Sequence, residues 1–133
     1  MPTALTDWTS FRTDGEQLLA AATGGRKRPA VFAPQITFNL AAMAIENLSM
    51  ALLAQRGDLA DNHTIRDLVH ALERHVVLPA DLRADLLDLE RFEDLCPIAP
   101  INHDPITSAD IPRILATARA FSAFATGQFE AVA

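Results

Sequence analysis

The sequence predicts an all-α protein, an up-and-down antiparallel bundle of four to five helices forming a single domain over residues 1–133. Three observations lead there. Apolar residues recur at i, i+3, i+4 and i+7 along most of the chain, and no long stretch alternates apolar and polar. Tyrosine is absent and the Val/Ile/Thr clusters are short, which disfavours a sheet. Half of the residues are hydrophobic and 21% are charged, so the chain has enough apolar surface to bury a core.

The first helix is expected from Thr6 or Asp7 to Thr23, with Trp8, Phe11, Leu18, Leu19 and Ala22 on a broad stripe. Gly15 weakens its middle by about 1 kcal/mol relative to alanine, and Gly24-Gly25 stops it. Arg26-Lys27-Arg28-Pro29 follows as an exposed basic turn. The second helix, Pro34 to Arg56, is the longest and most apolar, with proline in its first turn and Gly57 after its end. Phe38, Ala41, Ile45, Leu48 and Leu52 share one face, and Leu40, Met43, Ala44, Met50 and Ala51 fill much of the rest. A helix apolar nearly all round is buried on two sides, as the centre of the bundle or in a subunit interface.

The third helix opens near His63 or Thr64, where Thr64 and Asp67 form a variant of the capping box. Ile65, Leu68, Val69, Leu72 and Val76 make one stripe. Pro79 opens the fourth helix, which is expected to reach Leu95. Leu82, Leu86, Leu89 and Phe92 or Glu93 point inward, and Asp81, Asp85, Asp88, Arg91 and Asp94 outward. Cys96 to Ile106, with three prolines, reads as the one long loop, and long loops in compact domains often carry function. The fifth helix begins between Thr107 and Asp110, with Pro112 in its first turn. Ile111, Ile114, Leu115, Ala118, Phe121 and Ala125 face inward, and the end from Phe129 is expected to fray. Short connections favour antiparallel neighbours.

Charge and composition exclude several functions. A net charge of −6 argues against a duplex DNA binder, which needs a cationic footprint. The single cysteine, Cys96, permits no internal disulfide and no Cys₄ or Cys₂His₂ zinc site. No run of 18 apolar residues is present, so no membrane span is expected. The opening residues lack the basic start and apolar stretch of a signal peptide, so a cytoplasmic protein is the expectation.

No histidine pair among His63, His70, His75 and His103 has the i, i+4 spacing of a zinc site, so neither a metal nor a cofactor is expected. Asp81, Asp85 and Asp88 form a row on one helix, which without a cleft is a solvated face. Cys96 sits past a helix C-terminus, where the dipole opposes thiolate formation. Arg26-Lys27-Arg28 is a small basic patch of the kind that touches RNA or phosphate. Glu46 and Asn47 stand out, because a carboxylate on an almost wholly apolar helix needs a partner or a path to water. Arg66, Arg113 and Arg119 are the candidate partners.

The stretch from Phe38 through Glu46 to Gly57, followed by Asn62-His63-Thr64-Ile65-Arg66-Asp67-Leu68, resembles the HEPN family of nucleotide-binding helical domains. The likeness covers roughly residues 6–126. It lies in a long alanine-rich helix with a central acid, a polar loop, a helix opening with histidine, an acidic helix, a proline-bearing loop and a last helix entered through Ile106-Thr107-Ser108-Ala109-Asp110. The resemblance implies a helical bundle that dimerises and acts beside a nucleotidyltransferase, binding its nucleotide or substrate, with Glu46, His63 and Arg66 as ligand-binding residues. Many HEPN proteins are ribonucleases with an Arg-x(4–6)-His pair at a dimer interface. Here that spacing occurs only from Arg56 to His63, across a helix–loop junction. Leu95-Cys96-Pro97 stands where an Arg-Tyr-Pro-like feature is common. A non-catalytic member is therefore the expectation, with RNA as a further candidate ligand. The alternatives are a ribonuclease using Arg66 and His70, and a structural subunit of a toxin–antitoxin or defence complex.

Overall fold

The computed structural model describes residues 7–25, 33–93 and 105–132, and these are mostly helical with no strand among them. Five helices follow one another: α1 (Trp8–Gly25), α2 (Pro34–Gln55), α3 (Ile65–Leu72), α4 (Ala80–Asp88) and α5 (Ile111–Val132). The basic turn at Arg26-Lys27-Arg28, and Cys96 and His103 in the expected long loop, lie outside the described residues.

The centre of the bundle is α2. It packs against α1, α3 and α5, and its second half is buried on every side, from Leu48 through Ala54. That settles its all-round apolarity in favour of a central helix. By length and composition its 22 residues resemble a membrane span, yet most of them are buried inside the protein. The first half of α2 is covered less completely, and Ile36 and Met43 remain 44% and 47% exposed.

Helix directions follow from which residues meet. Gly15 lies against Leu48, while Leu18 and Ala21 flank Met43, so α1 and α2 are antiparallel. His63, just before α3, reaches Glu46 in mid-α2, whereas Arg74 and His75, just after α3, reach Asp58 beyond the end of α2. Thus α3 runs in the same sense as α2, and residues 56–64 lead the chain back along it. This departs from the antiparallel order expected of short connections. Nine residues at up to about 3.3 Å each easily cover the return past an eight-residue helix, about 12 Å long. The return α4 makes antiparallel to α3: Arg83 meets Glu73 at one end, and Glu90 and Glu93 meet Arg66 and Ile65 at the other. Then α5 rises beside α2, from Asp110 and Arg113 near Asp88 and Arg91 to Phe129, whose carbonyl accepts from Gln55.

Local chemistry explains the remaining boundaries. Asp7 accepts from Thr9 and Ser10 at the start of α1, which continues two residues past the expected Thr23. The α-helical part of α4 stops at Asp88 rather than Leu95. It tightens into a 3₁₀ turn, Leu89–Phe92, that turns Leu89 and Phe92 into the core. Phe92 packs edge-on against Phe38, and Arg91 covers its ring at 4.5 Å. Asp88 lies on the outward side as expected, partly exposed, and pairs there with Arg113 at 3.2 Å. A 3₁₀ turn at Ser108–Asp110, closed by a Thr107–Asp110 capping box, introduces α5. The end of α5 stays helical to Val132 instead of fraying, because Phe129 is buried and stacks on Trp8 at 5.2 Å.

Candidate functional site

Two shallow grooves flank the exposed strip of α2, and Met43 forms the ridge between them. One, about 380 Å³, lies toward α1 and is lined by Asp14, Gln17, Leu18, Ala21 and Asn47 besides Met43. The other, about 270 Å³, lies between α2 and α3. Ala42, Met43, Ile65 and Leu68 supply its apolar lining, and Asn39, Glu46, His63 and Glu93 its polar groups.

Each polar group is placed by a local device. The position of Glu46 follows from helical spacing: three residues beyond Met43, it emerges on the α3 side of α2. Its Oε1 lies 2.9 Å from Nδ1 of His63, with both side chains partly exposed. The expected arginine partners go elsewhere: Arg66 pairs with Glu90 and Arg113 with Asp88. The α3 N-terminus is capped twice. Thr64 Oγ1 accepts from the Asp67 N–H at 3.2 Å and donates to the Asp67 carboxylate at 2.7 Å. Both oxygens of Glu93 accept from the Ile65 N–H at 3.1 and 3.2 Å. Burial holds the Glu93 carboxyl above its usual range against the lowering effect of that N–H, and nearby Glu90, Asp67 and Glu46 push the same way.

Of the three residues singled out for ligand binding, Glu46 and His63 meet in one groove, whereas Arg66 does not line it. Arg66 faces outward in a two-bond ion pair with Glu90, at 2.8 and 2.9 Å. His70 stands exposed one turn further along α3. The Arg56–His63 spacing does not make a pair. Arg56 donates to the carbonyls of Leu52 and Gln128 and to the Gln55 side chain, tying the end of α2 to α5, while His63 turns to Glu46. Sequence reasoning missed Glu93 as a groove residue, although its position on the inward stripe of the fourth helix signalled an acid that must find a donor. Among the described residues no group of three or more His, Cys, Asp or Glu side chains is arranged to hold a metal ion.

Compared with known proteins, the chain matches no family model, no curated protein and no solved structure.

Proposed function

We propose that this chain is a non-catalytic helical binding module, HEPN-like in the order of its elements, that grips a protein partner across the outer face of the first half of α2. The observation that carries this reading is the exposure of Ile36 and Met43, seven residues apart on one face of a helix otherwise given to the core. Exposed apolar residues rimmed by polar ones mark interaction surfaces. What supports the HEPN-like reading is the long apolar helix, the turn at Gly57, the polar connection and the helix opening behind His63, on which the resemblance rests. A nucleotidyltransferase is the partner that resemblance implies. The same surface also serves a structural subunit of a toxin–antitoxin or defence complex.

Protein is favoured over nucleotide because the α2–α3 groove presents Glu46 and Glu93, which repel phosphate. The ribonuclease alternative is weakened by the Arg66–Glu90 pair, which engages the Nε–Nη2 edge of the guanidinium with a carboxylate. The expected homodimer suits the opposite end of the bundle, where Leu59, Val77 and Val132 are exposed near the end of α2. Light scattering should then give twice the 14.4 kDa mass for the wild type and the single mass for Val77→Asp.

Panning of a displayed peptide library against the wild type and against Met43→Asp tests the binding face. Met43 is exposed, so the variant keeps its fold, which circular dichroism checks. Ligands selected by the wild type should be lost on Met43→Asp; ligands retained by the variant contradict the assignment. Single-stranded RNA should survive incubation, and cleavage abolished by Arg66→Ala or His70→Ala would restore the enzyme reading.

A further inference from the structure

We propose that the groove between α2 and α3 receives one arginine or lysine side chain projecting from an apolar stretch of the protein partner. This rests on the partner-binding reading above and specifies the chemistry of what is bound.

Three features of the groove point to that occupant. Its volume, about 270 Å³, falls just below the range of small-molecule sites and suits a single long side chain. Its lining is apolar from Ala42, Met43, Ile65 and Leu68, and Glu46 and the half-buried Glu93 stand beside that apolar surface. Lysine and arginine are the side chains that lay a hydrocarbon stem on apolar surface and carry a cation at the tip. Charge is also out of balance here. Glu46, Asp67, Glu90 and Glu93 gather near α3's first turn, where Arg66 is already paired with Glu90 and His63 is hydrogen-bonded to Glu46. Glu93 receives only the backbone N–H of Ile65, and no cationic side chain among the described residues reaches it. Its partial burial strengthens the attraction for an incoming cation. An arginine fork also matches carboxylate geometry.

Other occupants fit less well. A phosphate-bearing ligand meets the same carboxylates with the wrong sign. A second copy of this chain, with net charge −6, has no overall charge attraction for this acidic groove.

The test uses two capped peptides, acetyl-Ala-Leu-Arg-Leu-Ala-amide and its citrulline counterpart, which keeps shape and hydrogen bonding but carries no charge. Amide chemical shifts of the full chain locate and quantify binding. The arginine peptide should move the amides of Ala42, Ile65 and Leu68 saturably. It should bind roughly tenfold or more tightly than the citrulline peptide, the worth of a charge-assisted hydrogen bond. Glu93→Gln, which keeps an acceptor for the Ile65 N–H, and Glu46→Gln should each erode that preference without unfolding the protein. Equal binding of the two peptides, no binding of either in this groove, or shifts confined to the acidic row of α4 overturns the proposal. Failure of the α2 face itself is read separately, through ligands that survive Met43→Asp.

Discussion

Gly15 faces Leu48 where α1 packs against α2. A Cβ built there would lie 2.8 Å from Leu48 Cγ and 3.2 Å from the Leu48 backbone nitrogen. In sequence this glycine reads only as a weak point in a helix; the partner that demands it lies 33 positions away, on another helix. Alanine gains about 1 kcal/mol of helix propensity, but overpacking against a buried neighbour costs about 1–3 kcal/mol, and the backbone contact has no rotamer to swing aside. Gly15→Ala should therefore lower the urea midpoint. Gly127, on the exposed face of α5, has nothing within 4 Å of its missing Cβ, so Gly127→Ala should raise stability by about 0.5–1 kcal/mol. Asp58 behaves as a latch. It accepts from His75, the Leu59 N–H and Arg74, which hold its carboxyl down to about 2. A depressed acid stabilises the fold above its ordinary pKa of 3.8, and that contribution fades as pH falls toward 2. Asp58→Asn should thus be less stable than the wild type at neutral pH, with the gap closing between about pH 4 and pH 2 in an acid titration followed by circular dichroism.

Among the helices, α3 is the least self-sufficient, because eight residues are too few to hold a helix alone. Its start depends on Thr64 and Glu93 for donors that no carbonyl of the helix satisfies. Thr64→Ala should cost about 0.5–2 kcal/mol by chemical denaturation. Glu93 has the opposite sign to Asp58. Burial raises its carboxyl, so the folded state loses stability as pH rises through and beyond 4.5. Glu93→Gln keeps the acceptor and should raise the melting temperature at pH 7 while leaving it nearly unchanged at pH 3.5. The helices themselves were legible from local spacing: Pro34 and Gly57 bracket α2, and the Ile65–Leu72 stripe is the buried face of α3. Directions were not legible. The parallel course of α2 and α3 depends on Glu46–His63 and Asp58–His75, contacts whose partners lie 17 positions apart. The 3₁₀ end of α4 likewise answers to Phe38, far away in the chain.

Across the assembled bundle, the candidate site was half legible. Glu46 attracted notice as a charge on an apolar helix, and His63 as the opening of the next; the structure joins them at 2.9 Å. Arg66 was drawn to the same site by its nearness in sequence, but residue 66 projects from α3 toward α4 and is claimed by Glu90. Only the packing of α1, α3 and α5 around α2 reveals which part of that helix is left over, and so which apolar residues face outward. The binding assignment is tested most directly by mapping amide shifts of the isotope-labelled protein on titration with a ligand selected by panning. Changes should concentrate on Asp14–Ala21, Ile36–Asn47 and His63–Leu68, the residues around the Met43 ridge. Changes centred on the exposed face of α5 or the acidic row of α4, with the Met43 ridge silent, would contradict it.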